Sequence, residues 1–94
     1  MNIYEATFIF YTDEEKVKNG KELVKKELSQ QGAKILKEDD LGERELAYLV
    51  KKESRGHYHY FELELEPSAV EVLDKTFKLS SDILKYLFIR KDKK

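Results

Sequence analysis

The sequence predicts an α+β fold: strands and helices in the order β-α-β-β-α-β, giving a four-stranded antiparallel sheet with two helices on one face. Two observations carry it. Residues 3–11 and 57–66 alternate apolar and polar side chains with the period of two that a half-covered strand needs. Two intervening segments each carry a single apolar stripe at helical spacing. With one stripe apiece, both helices must bury it against the same sheet face.

Residues 3–11 are rich in aromatic and β-branched types, which suit a strand, and Tyr4, Ala6, Phe8 and Phe10 form its apolar row. Thr12 to Glu15 reads as a capping box, with Thr12 as cap and acidic residues where a helix start favours them. A helix then runs to about Gln31 with Val17, Leu23, Val24 and Leu28 on its buried side, and Gly32 is a natural left-handed stop. Residues 33–40 begin as a second strand with Ile35 and Leu36, which Asp39-Asp40-Leu41-Gly42 interrupts as a turn or bulge, and the strand pattern resumes over Leu46 to Val50.

Glu53-Ser54-Arg55-Gly56 reads as a hairpin turn. In the third strand Phe61, Leu63 and Leu65 share one face; Tyr58, Tyr60, Glu62 and Glu64 share the other. Ser68 to Glu71 reads as a second capping box with Pro67 just outside it, followed by a helix whose stripe is Val70, Leu73 and Phe77 and which ends near Ser80. Residues 83–90 make the last strand, with Tyr86 and Phe88 inward and Leu87 and Ile89 outward. This is the split βαβ, ferredoxin-like arrangement.

The chain has 94 residues, the size of one domain (1–94), with no Pro/Gly/Ser-rich linker or repeat. The sequence contains no cysteine, which excludes disulfides, thiolate zinc sites and cysteine nucleophiles together. It has no run of 18 apolar residues for a membrane span, and Met-Asn-Ile-Tyr-Glu does not resemble a secretory signal, so a cytoplasmic location with no membrane partner is expected.

Eighteen Lys and Arg face nineteen Asp and Glu, and a net charge of −1 argues against coating nucleic acid by charge alone. The charge is uneven: residues 57–89 carry six acids and three bases, while residues 90–94 carry a net +3. Such a basic end could rest on phosphates or be a solvated terminus.

No helix covers the second sheet face, which should be polar if it meets only water. It instead collects Ile3, Ile9, Tyr11, Tyr58, Tyr60, Leu87 and Ile89 beside Glu5, Thr7, Glu62 and Glu64. Either side-chain stems and tails cover these groups or a partner does. Base stacking on the tyrosines fits poorly, because Glu62 and Glu64 share their face and would repel phosphate. A protein partner fits better.

No reaction chemistry is legible. His57 and His59 share a strand face without an acid or cysteine at ligand spacing on that strand, and read as partly buried histidines rather than metal ligands. Asp39-Asp40 lacks the alternating oxygen ligands of a calcium loop, and Gly42 and Gly56 are too isolated to cradle a phosphate. The segment after the first strand, Tyr11 to Glu15, is acidic, unlike the arginine-bearing anion loop of an acylphosphatase. No catalytic residue, metal or cofactor is expected, and the chain is read as a non-enzyme.

Several segments do carry a resemblance. Tyr4-Glu5, the run Gly42-Glu43-Arg44-Glu45-Leu46-Ala47-Tyr48-Leu49-Val50, the triplet Gly56-His57-Tyr58, and the passage from Phe77 to Arg90 are similar in order and spacing to the bacterial small-subunit ribosomal protein S six family. The resemblance spans essentially residues 2–91. Leu49 departs from it, standing where the family usually has proline, and the long acidic C-terminal extension of some members is not in the sequence.

The resemblance implies a structural RNA-binding protein that pairs with ribosomal protein S eighteen and binds the central domain, or platform, of small-subunit rRNA. The expected phosphate contacts are Arg44, Lys51, Lys52, Arg55, Arg90 and Lys91; the expected partner surface is Ile3, Ile9, Tyr58, Tyr60, Glu62, Leu87 and Ile89. The free protein is expected to be monomeric. The alternative is a ligand-sensing or regulatory ferredoxin-like domain that buries the same apolar groups as a homodimer.

Overall fold

The computed structural model describes residues 2–91. The basic end singled out above therefore lies partly outside the described residues. The elements are β1 (Asn2–Phe10), α1 (Glu14–Gln30), β2 (Lys34–Val50), β3 (Glu53–Leu65), α2 (Pro67–Lys78) and β4 (Ile83–Arg90). They build one four-stranded antiparallel sheet, as the sequence predicts, and its strand order is β2-β3-β1-β4.

The core lies between the sheet and the helices. Tyr4, Ala6, Phe8 and Phe10 of β1 and Phe61, Leu63 and Leu65 of β3 meet Val17, Val24 and Leu28 of α1 and Leu73 and Phe77 of α2. Phe8 sits at its centre, edge-on to Phe61, Phe77 and Phe88 with centroids 5.8, 5.1 and 6.0 Å away, in the geometry that the ring quadrupole favours. Tyr86 packs beside them, and its hydroxyl donates to the Asp74 carbonyl at 3.0 Å and to the Asp74 carboxylate. Burial and that carboxylate push the Tyr86 hydroxyl up to about 12.

Both helix starts differ from expectation. The cap of α1 is Asp13, not Thr12: Asp13 Oδ1 accepts from Glu15 N at 2.9 Å and Lys16 N at 3.3 Å. A carboxylate meets the positive end of the helix dipole better than a hydroxyl does. In α2 no capping box forms. Glu66 takes the cap position but its side chain makes no capping bond to the helix N–H groups, and Pro67 is inside the first turn, where its missing N–H costs nothing. The buried stripe of α2 is Ala69, Leu73 and Phe77, with Val70 at its flank. Gly32 ends α1 at φ +73°, as expected.

The largest local correction is the hairpin. Glu53 to Gly56 is strand, and the turn is Lys51-Lys52, whose φ values of 49° and 68° are those of a two-residue left-handed turn closed by the Val50–Glu53 pair. The interruption at Asp39 to Gly42 is a bulge inside a continuous strand: the register slips between Asp40 and Gly42, Gly42 adopts φ +77°, and its N–H donates to Asp40 Oδ1 at 2.9 Å.

On the helix side of β2 and β3, two charge relays repeat with the spacing of the elements. Lys25 pairs with Glu38 at 2.9 Å and His59 Nε2 donates to Glu38 at 2.7 Å; one step along, Lys21 pairs with Asp40 and His57 Nε2 donates to Asp40 at 2.6 Å. The histidines thus do have acidic neighbours, brought by β2 rather than by their own strand. His59 is buried, His57 half-buried.

Candidate partner and nucleic-acid interface

Strand register arranges the uncovered face in rows. Ile9 of β1 lies between Tyr58 of β3 and Lys85 of β4; Thr7 lies between Tyr60 and Leu87; Glu5 lies between Glu62 and Ile89; Ile3 lies beside Glu64. Leu87 and Ile89 are 52% and 49% exposed, while Ile3, Tyr58, Tyr60 and Glu62 are half-buried. The residues expected to share a face therefore do so.

Ile9 is the exception in exposure. Only 9% of it reaches solvent, against the expectation of a partly open residue. The β2–β3 ladder continues beyond the Phe10–His57 pair, where the β1–β3 ladder stops, and this overhanging hairpin curls back over the end of the face. Leu46, Tyr48 and Tyr58 close a recess over Ile9. Gly56 makes the approach possible, since a Cβ there would stand 2.3 Å from Ile9 Cγ2. Tyr48 reaches Lys85, whose Nζ donates to Tyr48 Oη at 2.9 Å. This contact holds the Lys85 ammonium above its usual range and draws the Tyr48 hydroxyl below its own.

The middle of the face is acidic. Glu5 and Glu62 stand directly opposite each other, a like-charge pair that needs compensation. Tyr60 Oη donates to Glu5 at 3.1 Å, and Lys91, folded back so that its N–H reaches the Ile3 carbonyl at 2.8 Å, pairs with Glu62. Burial, then the Glu5 carboxylate, raises the Tyr60 hydroxyl above its usual value; the Glu62 pairing raises Lys91.

The six basic residues do not converge. Arg44 is exposed and donates from Nε to the Leu41 carbonyl at 3.3 Å; Arg55 pairs with Glu43 at 2.5 Å; Lys51 and Lys52 form the exposed turn. Arg90, opposite Tyr4, and Lys91 lie at the other end of the sheet. The sequence reading missed Tyr48 and Lys85 as a contact, because nothing in their spacing signals that two edge strands meet.

Among the described residues no group of three or more histidine and carboxylate side chains is placed to hold a metal ion. No helix among them is long and apolar enough to cross a membrane.

Comparison with known proteins agrees with this architecture. Residues 3–90 match the family model for Ribosomal protein S6. The chain is 40% identical over 92 residues to the small ribosomal subunit protein bS6 of Treponema pallidum, covering 98% of this chain and 99% of that one. The corresponding protein of Helicobacter acinonychis is 32% identical, over all of this chain and 68% of its own length. The crystal structure of 30S ribosomal protein S6 from Thermotoga maritima superimposes with a TM-score of 0.87 at 28% identity, covering 96% of this chain and 87% of that one. The fold and these relatives define a structural, non-enzymatic component of the small ribosomal subunit, at work in the cytoplasmic ribosome of bacteria. The chain belongs to the ribosomal protein S6 family.

Proposed function

We propose that the chain acts as one domain that binds the platform of small-subunit rRNA together with ribosomal protein S eighteen. The observation that supports this reading best is the uncovered sheet face, where Tyr58, Tyr60, Leu87 and Ile89 share one surface with the opposed carboxylates Glu5 and Glu62. A second copy would bring its own carboxylates against these, whereas a basic partner would add to the compensation that Tyr60 gives Glu5 and Lys91 gives Glu62 while covering the apolar groups. The partner docks on Ile3, Tyr58, Tyr60, Glu62, Leu87 and Ile89, with Ile9 contributing beneath the hairpin. Arg44, Lys51, Lys52, Arg55, Arg90 and Lys91 contact phosphate at the two ends of the sheet.

The test is a binding titration of the purified chain with ribosomal protein S eighteen and a platform rRNA fragment. The expected result is a 1:1 protein pair that binds the RNA more tightly than either protein alone. A stable homodimer with affinity for neither would overturn the reading in favour of a regulatory dimer.

A further inference from the structure

Glu5 and Glu62 face each other across the β1–β3 ladder, yet only Glu62 has a counter-charge bound to it. Lys91 bonds Glu62 and acts on Glu5 only at longer range. What Glu5 accepts is the neutral Tyr60 hydroxyl, at 3.1 Å. Among the described residues no lysine, arginine or histidine lies within ion-pair distance of Glu5. The third acid of the face, Glu64, has Lys34 opposite it in register. We infer that Glu5 is the anchor for one basic side chain of the protein partner, whose cation binds this carboxylate while apolar groups beside it cover Leu87 and Ile89. This contact rests on the partner-docking reading above and gives that interface its charged centre.

The place of Glu5 in the sheet is what demands a cation. β1 is an interior strand, so Glu5 has Glu62 on one side and Ile89 on the other. Thr7, two residues along on the same face, lies between Tyr60 and Leu87. A partner that covers Tyr60, Leu87 and Ile89 therefore covers Glu5 as well, and takes its half-buried carboxylate out of the remaining water. A hydrogen bond from a neutral hydroxyl does not balance a charge moved into low dielectric. Glu62 carries its own cation into such an interface; Glu5 has to be given one.

The Tyr60 bond has a second effect. It is made to Glu5 Oε2, so it holds the carboxylate in place and leaves Oε1 for an incoming N–H. Charge also selects the partner. A phosphate is repelled by Glu5, and a second copy of the chain brings another Glu5 rather than a cation.

The experiment measures association and dissociation rates of the chain with ribosomal protein S eighteen in the absence of RNA. It compares the unaltered protein with Glu5→Gln and with Glu62→Gln/Lys91→Gln, which removes the internal ion pair and leaves the net charge as it was. Glu22→Gln, on the exposed side of α1, controls for the loss of one negative charge. Glutamine at position 5 still accepts from Tyr60, and urea melts check that each variant is folded. The expected result is that Glu5→Gln weakens the pair about ten- to hundredfold, chiefly through faster dissociation, as the loss of a charge-assisted hydrogen bond does. The double variant should lose at most about fivefold, the scale of a partly exposed ion pair, and Glu22→Gln should bind as the unaltered protein does. Equal losses for Glu5→Gln and the double variant, or no loss for Glu5→Gln while the unaltered chain binds, overturn Glu5 as the anchor. Failure of the unaltered chain to bind overturns the docking reading itself.

Discussion

Tyr48 and Lys85 join the two outermost strands of the sheet. They belong to β2 and β4, which β3 and β1 separate, yet the Lys85 ammonium lies 2.9 Å from Tyr48 Oη and 5.3 Å from the centre of its ring. The contact is possible because the hairpin overhangs the sheet and folds across its end.

Removing that bond should free the hairpin without loosening the core. In Tyr48→Phe, which keeps the ring, the amides of residues 50–53 should exchange with solvent faster by hydrogen-exchange NMR, while those of β1 keep their protection. Uniform acceleration through the sheet would show that the contact supports the fold as a whole.

The two faces of β3 should respond differently to truncation. Phe61→Ala leaves a cavity among Phe8, His59 and the helices and should cost roughly 3–5 kcal/mol in urea melts. Tyr60→Ala, on the open face, should cost about 1 kcal/mol, the scale of its one hydrogen bond to Glu5. Equal losses would contradict the face assignment.

Acid should strip stability from the β2–β3 charge relays. Burial raises the Asp40 carboxyl, but the bonds from Lys21, the Gly42 amide and His57 outweigh it and hold the group well below the usual carboxylate range. Glu38 is lowered in the same sense, its burial outweighed by the bonds from Lys25 and His59. A carboxylate whose folded pKa is depressed stabilises the fold above its unfolded pKa and loses that contribution as pH falls through the folded value. Denaturant midpoints should therefore drop from pH 6 toward pH 2, and Glu38→Gln/Asp40→Asn should start lower at pH 6 and drop less. Parallel curves for variant and unaltered protein would remove these two groups from the acid response.

Gly56 should not tolerate a side chain. Its φ is not in the left-handed region, so the obstacle to Gly56→Ala is the Ile9 methyl, and overpacking there should cost about 1–3 kcal/mol. The companion change Ile9→Val, which shortens Ile9 but keeps Cγ2, should not restore stability; Ile9→Ala in the same background should recover part of it. No recovery, by thermal melting, would mean the strain comes from the backbone.

The strand faces were legible because alternation is a local signal that the register then confirms, as Tyr4, Phe8, Phe61 and Leu63 show. The hairpin turn was not. Lys51 and Lys52 adopt left-handed backbone without glycine or asparagine, whereas Gly56, which looks like a turn residue, serves a close approach. The acidic partners of His57 and His59 come from 17 and 21 residues away across a strand pair, and no spacing within β3 announces them. The exposed apolar rows were readable from sequence, but the shielding of Ile9 was not, because it depends on how far the hairpin overhangs.

The position of β1 has a consequence for how the polypeptide matures. The first strand in sequence is an interior strand of the sheet, pairing with β3 from Asn2–Leu65 to Phe10–His57 and with β4 from Tyr4–Arg90 onward. As the chain leaves its own ribosome, Phe8 and Phe10 emerge long before either neighbour exists. Closure of the sheet therefore waits for residues more than 45 positions away, so β1 cannot complete its ladders until β3 and β4 have been made.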